Sequence, residues 1–154
     1  KINMNPNIKT ETEPKEFEEK LLQLKRVSKK TKGGNTISFT ALMAIGDMKG
    51  KVGVGLGRGR EVAQAIKKAT STAKKSMISV KIVKDTFPHD VKVKYKAARI
   101  ILKPAPQGAG LKVGSVVRSI LSLAGIRNAS GKLLGSRNQT TCAYAVMKAL
   151  ESLM

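Results

Sequence analysis

Gly53, Gly55, Gly57 and Gly59 occupy alternate positions in a segment whose intervening members include Val52, Val54 and Leu56. Residues two apart share a face in extended chain, so this strand is apolar on one side and bare on the other. Each glycine inside a strand costs about 0.5–1 kcal/mol relative to alanine, and four in a row require another backbone to approach the bare face closely. A helix lying flat there, or an RNA backbone, would meet that requirement.

The segment reads as the return arm of a hairpin. Before it, Ile37, Phe39, Ala41, Met43 and Ile45 alternate with Thr36, Ser38 and Thr40, and Gly46-Asp47-Met48-Lys49-Gly50 turns the chain. From Glu61 the period becomes helical, with Val62, Ala65, Ile66, Ala69, Ala73 and Met77 on one side and Lys67, Lys68, Lys74 and Lys75 on the remainder. Glu61 itself is expected in the first turn, where the helix dipole favours a negative side chain. Upstream, Leu21, Leu22, Leu24 and Val27 fit either a short helical turn or a strand, leading into a Lys32-Gly33-Gly34-Asn35 turn. Residues 1–16 are too polar to offset their own ordering entropy and read as a flexible arm.

Lys84 to Asp90 break both periods with a proline and two acids, so 85–90 is the expected linker between a first domain, 17–84, and a second, 91–154. In the second domain Val91, Val93 and Tyr95 alternate with lysines, and Ala98 to Lys103 complete a hairpin. An irregular Gly/Pro loop follows over 104–111. A helix over Val116, Val117, Ile120, Leu121 and Ala124 ends at Gly125. A strand is expected within Ile126 to Leu134, and a last helix over about 139–153.

Of 154 residues 30 are Lys or Arg and ten are Asp or Glu, a net charge of +20. Half of the acids lie between Glu11 and Glu19. From Lys20 onward 27 basic side chains face five acids, and the self-repulsion this creates points to a polyanion as the constant partner. A membrane surface fits poorly, because no basic helix carries Trp, Phe or Leu opposite its charges. No run of about 18 apolar residues and no secretory leader is visible, so a soluble intracellular protein without membrane contact is expected.

Catalytic chemistry finds few residues to use. Cys142 and His89 are each alone, which leaves no metal set, and Cys142 reads as a buried small hydrophobe. The glycine row fails the G-x-G-x-x-G spacing in every register, and no G-x-x-x-x-G-K-[ST] exists. The loop Pro106-Gln107-Gly108-Ala109-Gly110-Leu111 before a helix resembles the phosphate loop of small-metabolite kinases of the galactokinase and homoserine kinase type, so phosphotransfer through Gly108 to Gly110 is the alternative reading. That chemistry needs carboxylates, and the second domain offers only Glu151. No enzyme activity and no cofactor are expected.

The cationic sets carry more. Arg26, Lys29, Lys30 and Lys32 run into Gly33, Gly34 and Asn35; Lys49 and Lys51 flank the hairpin tip; Arg58 and Arg60 precede the helix bearing Lys67 and Lys68. These are the expected RNA-phosphate contacts. Five scattered aromatics, Phe17, Phe39, Phe87, Tyr95 and Tyr144, make a base-stacking platform hard to build, so folded, partly duplex RNA read by shape is the expected ligand.

In order and spacing, Arg26-Val27-Ser28-Lys29, Lys32-Gly33-Gly34, Phe39-Thr40-Ala41-Leu42, Gly46-Asp47, Gly50 to Gly57, Arg60-Glu61-Val62, Leu102-Lys103-Pro104-Ala105, Gly108-Ala109-Gly110, Arg118, Ala124-Gly125, Gly135-Ser136 and Asn138 resemble the bacterial-type small-subunit ribosomal protein five family. The resemblance covers about residues 17–153. It departs at Gly59, Ala63, Gln139 and Thr141, where Ala, Pro, Pro and Asn are usual. It implies an α+β protein: a double-stranded-RNA-binding-like domain, then a two-layer α/β domain with a left-handed β-α-β crossover. It implies a structural role on small-subunit rRNA, in assembly and decoding accuracy, beside proteins four and eight and the path by which mRNA enters. The ribosome would be that of the bacterial cytoplasm or of an organelle. The Lys29–Asn35 loop would lie near the spectinomycin site, and Gly108, Gly110, Lys112 and Gly114 would face protein four.

Overall fold

The computed structural model describes residues 16–153, so the expected arm lies, Glu16 apart, outside the described residues. Strands β1 (Glu18–Thr31), β2 (Gly34–Gly46), β3 (Lys51–Gly59) and β4 (Ile78–Ser79) form an antiparallel sheet in that order, with helix α1 (Val62–Lys75) between the last two. Leu21 to Val27 are thus strand and not helical turn. Ser28 to Thr31 extend that strand, and the turn shrinks to Lys32-Gly33, closed by the Thr31 hydroxyl donating to the Gly34 carbonyl at 2.7 Å. No helix precedes β1 among the described residues.

The bare face is covered by the chain's own helix. A methyl on Gly55 would strike the backbone of Ala69 and Ala73, and one on Gly57 the backbone of Ala65 and Ala69. Those three alanines are fully buried, and their four-residue spacing sets one flat ridge of α1 against the glycine column. The helix C-terminus is tied down by the Ser76 hydroxyl, which donates to the Val54 carbonyl at 2.8 Å. Glu61 stands at the N-cap and not in the first turn, and its side chain caps nothing.

The second domain pairs β5 (Val91–Tyr95), β6 (Ala98–Pro104), β7 (Leu111–Lys112) and β8 (Ala129–Leu134) in the order β5-β6-β8-β7. Helix α2 (Ser115–Ala124) joins β7 to β8, which run parallel, so the expected β-α-β unit is present. Strand β7 begins at the last residue of the stretch expected to be irregular, and it is too short to show a period. Gly125, at φ +91°, ends α2 in the left-handed conformation. Helix α3 (Gln139–Glu151) begins at Asn138, whose side-chain oxygen accepts from the Thr140 N–H at 3.2 Å. It buries Cys142, Ala143, Ala145, Val146, Ala149 and Leu150, because it packs on the sheet and on α2 at once.

The two domains share one core. Leu42, Ala44, Val52 and Val54, on the sheet face opposite α1, join a single apolar cluster with Phe87, Ile100, Leu102, Ile120, Leu121 and Leu150. The β2–β3 turn is bonded to the end of α2: the Met48 N–H donates to the Leu123 carbonyl at 2.9 Å and the Gly50 N–H to that of Ala124 at 2.8 Å. The linker segment is equally fastened. Phe87 is only 2% exposed, and the Asp85 carbonyl accepts from the N–H groups of Arg127 and Asn128 at 3.1 and 3.0 Å. A fully buried phenyl contributes about 1.5–3 kcal/mol, enough to make a polar, proline-containing segment an anchor.

Asp47 organises the turn at this junction. Its Oδ1 accepts from the Lys49 and Lys51 N–H groups at 2.8 and 2.9 Å. Burial pushes the carboxyl's pKa up, but these N–H bonds and the Lys51 charge outweigh it and hold the group below its ordinary 3.8. A depressed folded pKa adds stability that is present above about pH 4 and lost as pH falls through the folded value. Asp47→Asn, which keeps an accepting oxygen but loses the charge, is expected to lower stability slightly near neutral pH, since solvent screens an exposed carboxylate, and to flatten the decline below about pH 4. Thermal melts across the acid range would check both.

Candidate nucleic-acid interface

The hairpin of β1 and β2 outruns the rest of the sheet. Strand β3 ends at Gly59, opposite Phe39, so the pairs from Val27–Ser38 to Thr31–Gly34 have no third strand beside them. At roughly 3.4 Å per residue this ribbon projects about 15 Å. A two-stranded ribbon is marginal in water on its own, and residues 28–37 are all exposed. What the ribbon does carry is charge.

Register assigns that charge to two faces. Lys25 opposes Thr40, Lys29 opposes Thr36, and Thr40 in turn opposes Arg58, so Lys25, Lys29 and Arg58 share a face with Thr36 and Ser38. Arg58 is oriented by its Nε and Nη2, which both donate to the Ser38 hydroxyl at 3.3 Å. Arg26 and Lys30 lie on the other face with Phe39 and Asn35, and Lys32 and Gly33 form the tip. Around the end of β3, Lys29, Ser38, Arg58, Arg60, Gln64 and Lys68 line a groove of about 350 Å³. No acid lines it. Its cations and hydroxyls suit phosphate oxygens, with the forked Arg58 able to take two at once.

The remaining expected residues lie elsewhere. Lys67 lines a separate groove on the other flank of α1, with Lys74 and Glu19. Lys49 and Lys51 sit at the far end of β2, about 40 Å from the ribbon tip by strand rise, beside the second domain. Lys25, Ser38 and Gln64 were legible as polar residues but not as site members. Reading β1 as a strand would have put Lys25 on the face of Lys29, four pairs away.

Gly108, Gly110 and Gly114 each border open space, and Lys112 is the outward residue of β7. Nearby, Met48, Asp85, Leu111, Arg118 and Arg127 line a groove of about 460 Å³ at the domain junction. The Arg118 guanidinium donates to the Leu111 carbonyl at 2.8 Å and so holds β7 to α2. In the loop itself, the Ala109 N–H donates to the Pro106 carbonyl and the Gly110 N–H to the Asn128 side chain, 3.2 and 3.1 Å. Those donors are engaged within the protein and do not form a phosphate cradle.

Among the described residues no three His, Cys, Asp or Glu side chains gather as a metal set, and no helix is long and apolar enough to cross a membrane. Burial raises the pKa of the Cys142 thiol, which keeps it protonated and unreactive. Phe87 is buried, Phe39 packs on α1, and Tyr95 and Tyr144 lean on each other with ring centroids 6.1 Å apart. No row of free rings is available for bases.

A two-domain α+β scaffold with a cationic ribbon and an acid-free groove defines a structural polyanion-binding protein. Residues 17–81 match the family model of the ribosomal protein S5 N-terminal domain, and residues 93–154 that of the S5 C-terminal domain. The chain is 42% identical over 147 residues to the small ribosomal subunit protein uS5 of Thermotoga maritima, covering 96% of this chain and 83% of the relative. It is 43% identical over 141 residues to the uS5 of Fusobacterium nucleatum, 92% of this chain and 86% of that one. The chain belongs to the ribosomal protein S5 family, a family of structural ribosomal proteins and not of enzymes.

Proposed function

We propose that this chain is a structural constituent of a bacterial small ribosomal subunit, bound to small-subunit rRNA through the β1–β2 ribbon and the groove at the end of β3. The observation that carries the reading is the ribbon itself. Thirteen strand pairs are built, interrupted once by a register shift between Leu21 and Gln23, yet the last five bury almost nothing and concentrate lysines, which suits a polyanion partner. In this reading Lys29, Arg58, Arg60 and Lys68 contact phosphates from one side, Arg26 and Lys30 from the other, and Lys32 with Gly33, Gly34 and Asn35 enters a narrow RNA crevice. Lys49 and Lys51 serve a second strand near the junction, and Lys67 a third flank.

The domain limits follow 17–84 and 91–154, with 85–90 as a fastened connector. The open Gly108–Gly114 loop faces protein four, with protein eight as a further neighbour and mRNA passing close to the ribbon. Rigidity of the shared core supports a part in assembly and decoding accuracy. Tagged protein expressed in a bacterium and run through a sucrose gradient is expected to sediment with small subunits and to leave them only at high salt. Recovery at the top of the gradient in low salt would refute the assignment.

A further inference from the structure

Helix α1 covers only part of the sheet face it lies on. It packs chiefly on β3 and β2, which leaves the β1 side of that face open. Register puts Glu19, Leu21 and Leu24 on this side, opposite Ile45, Met43 and Ala41, which in turn oppose Gly53, Gly55 and Gly57. Leu21 and Leu24 are 42% and 40% exposed, although Met43 and Ala41 beside them are buried. Next to this ledge a groove of about 550 Å³ runs along α1, with Ala63 and Ile66 as its apolar members and Lys67 and Lys74 as its cations. Glu19 is the one acid that lines it.

Position, reach and charge together name an occupant. Gly53 lies against Ala73 and Met77, and Gly57 against Ala65 and Ala69, so the start of β1 sits at the Lys74 end of the groove. Residues 1–15 therefore join the described chain at the groove's mouth. From Lys74 back to Ala63 the helix measures about 17 Å, a length that about five extended residues cover. Glu11 and Glu13 are two apart and would share one face of an extended segment, with Ile8, Thr10 and Thr12 on the other. Laid between helix and ledge, such a segment turns two carboxylates to Lys67 and Lys74 and an isoleucine to Leu21 and Leu24. From Lys20 onward no two acids lie within four positions of each other, so no later segment of the chain offers the same match.

We infer that residues 8–15 fold back along α1 and occupy this groove, with Glu11 and Glu13 paired to Lys67 and Lys74. The arm then acts as a built-in anion. RNA reaches Lys67 only by displacing it, which holds that flank of the helix back from weakly bound polyanions.

A nitroxide on Thr12→Cys of the full chain tests the contact, since Cys142 is buried and stays unlabelled. At low ionic strength the amide signals of Ala63 to Lys74 are expected to lose most of their intensity, and those of Lys29 to Asn35 to keep theirs. Lys67→Gln with Lys74→Gln, or salt at about 1 M, is expected to restore the lost signals. Loss spread evenly over the surface, or loss that survives both substitutions, would overturn the inference. Equal loss in an isotope-enriched chain mixed with a separate spin-labelled one would overturn it too, by placing the arm on a second copy.

RNA provides an independent readout, the only one that rests on the ribosomal reading. Glu11→Gln with Glu13→Gln is expected to raise affinity for an RNA duplex near 0.1 M salt about tenfold, and not at all in the Lys67→Gln, Lys74→Gln chain. Equal gains in both chains would overturn the inference, because the acids would then act at long range without lying on α1. A chain that binds no RNA while Ala63 to Lys74 still lose their signals would refute the ribosomal reading and leave the docked arm standing.

Discussion

Gly55→Ala is expected to destabilise the protein by about 3 kcal/mol, lowering the melting temperature of a chain this size by roughly 6–12 °C. The methyl meets the Ala69 carbonyl and the Ala73 backbone of α1, and backbone cannot rotate away as a side chain does. Trimming the facing residues cannot help, because the clash is not with their side chains: Ala69→Gly added to Gly55→Ala is expected to restore nothing. With Gly57→Ala as well, the loss approaches the 5–15 kcal/mol that typically holds a domain together, and the first domain should not fold. Calorimetry or chemical denaturation reads these values. The opposite pattern, full stability with weakened RNA binding, would mean that the glycines admit RNA and not the helix.

That choice was left open by the sequence, and the reason is physical. A column of glycines announces a close approach but does not say whose backbone approaches. The answer lies in α1, where Ala65, Ala69 and Ala73 repeat at four-residue spacing on the same side. The hairpins at 91–104, helix α2 with its Gly125 stop, and α3 were legible because their periods are long or their punctuation is strong. Two-residue β7 was not, since no period fits in two residues. Phe87 shows a different limit: Pro88, His89 and Asp90 mark a loop correctly, but burial of one aromatic depends on a partner surface formed by both domains.

Much of the candidate site was legible as a list and not as a place. Charge identified Arg26, Lys29, Lys30, Lys32, Arg58, Arg60 and Lys68. Only strand register divides them between faces and separates them from Lys49 and Lys51 at the other end of β2. Taking Leu21 to Val27 as an open choice between turn and strand hid Lys25, and with it the length of the ribbon.

The central claim is that the cationic end of the first domain binds RNA phosphates. Lys29→Ala, Arg58→Ala and Arg60→Ala remove three cations that converge on one groove and leave the core untouched. Binding to small-subunit rRNA, measured from low to moderate salt against wild type and against a distant Lys148→Ala control, tests the claim most directly. Three lost phosphate contacts should flatten the log–log salt slope by about two to three units and cut affinity near 0.1 M salt about a hundred-fold, with Lys148→Ala leaving binding almost unchanged. A triple variant that folds normally and keeps the wild-type slope would contradict the account.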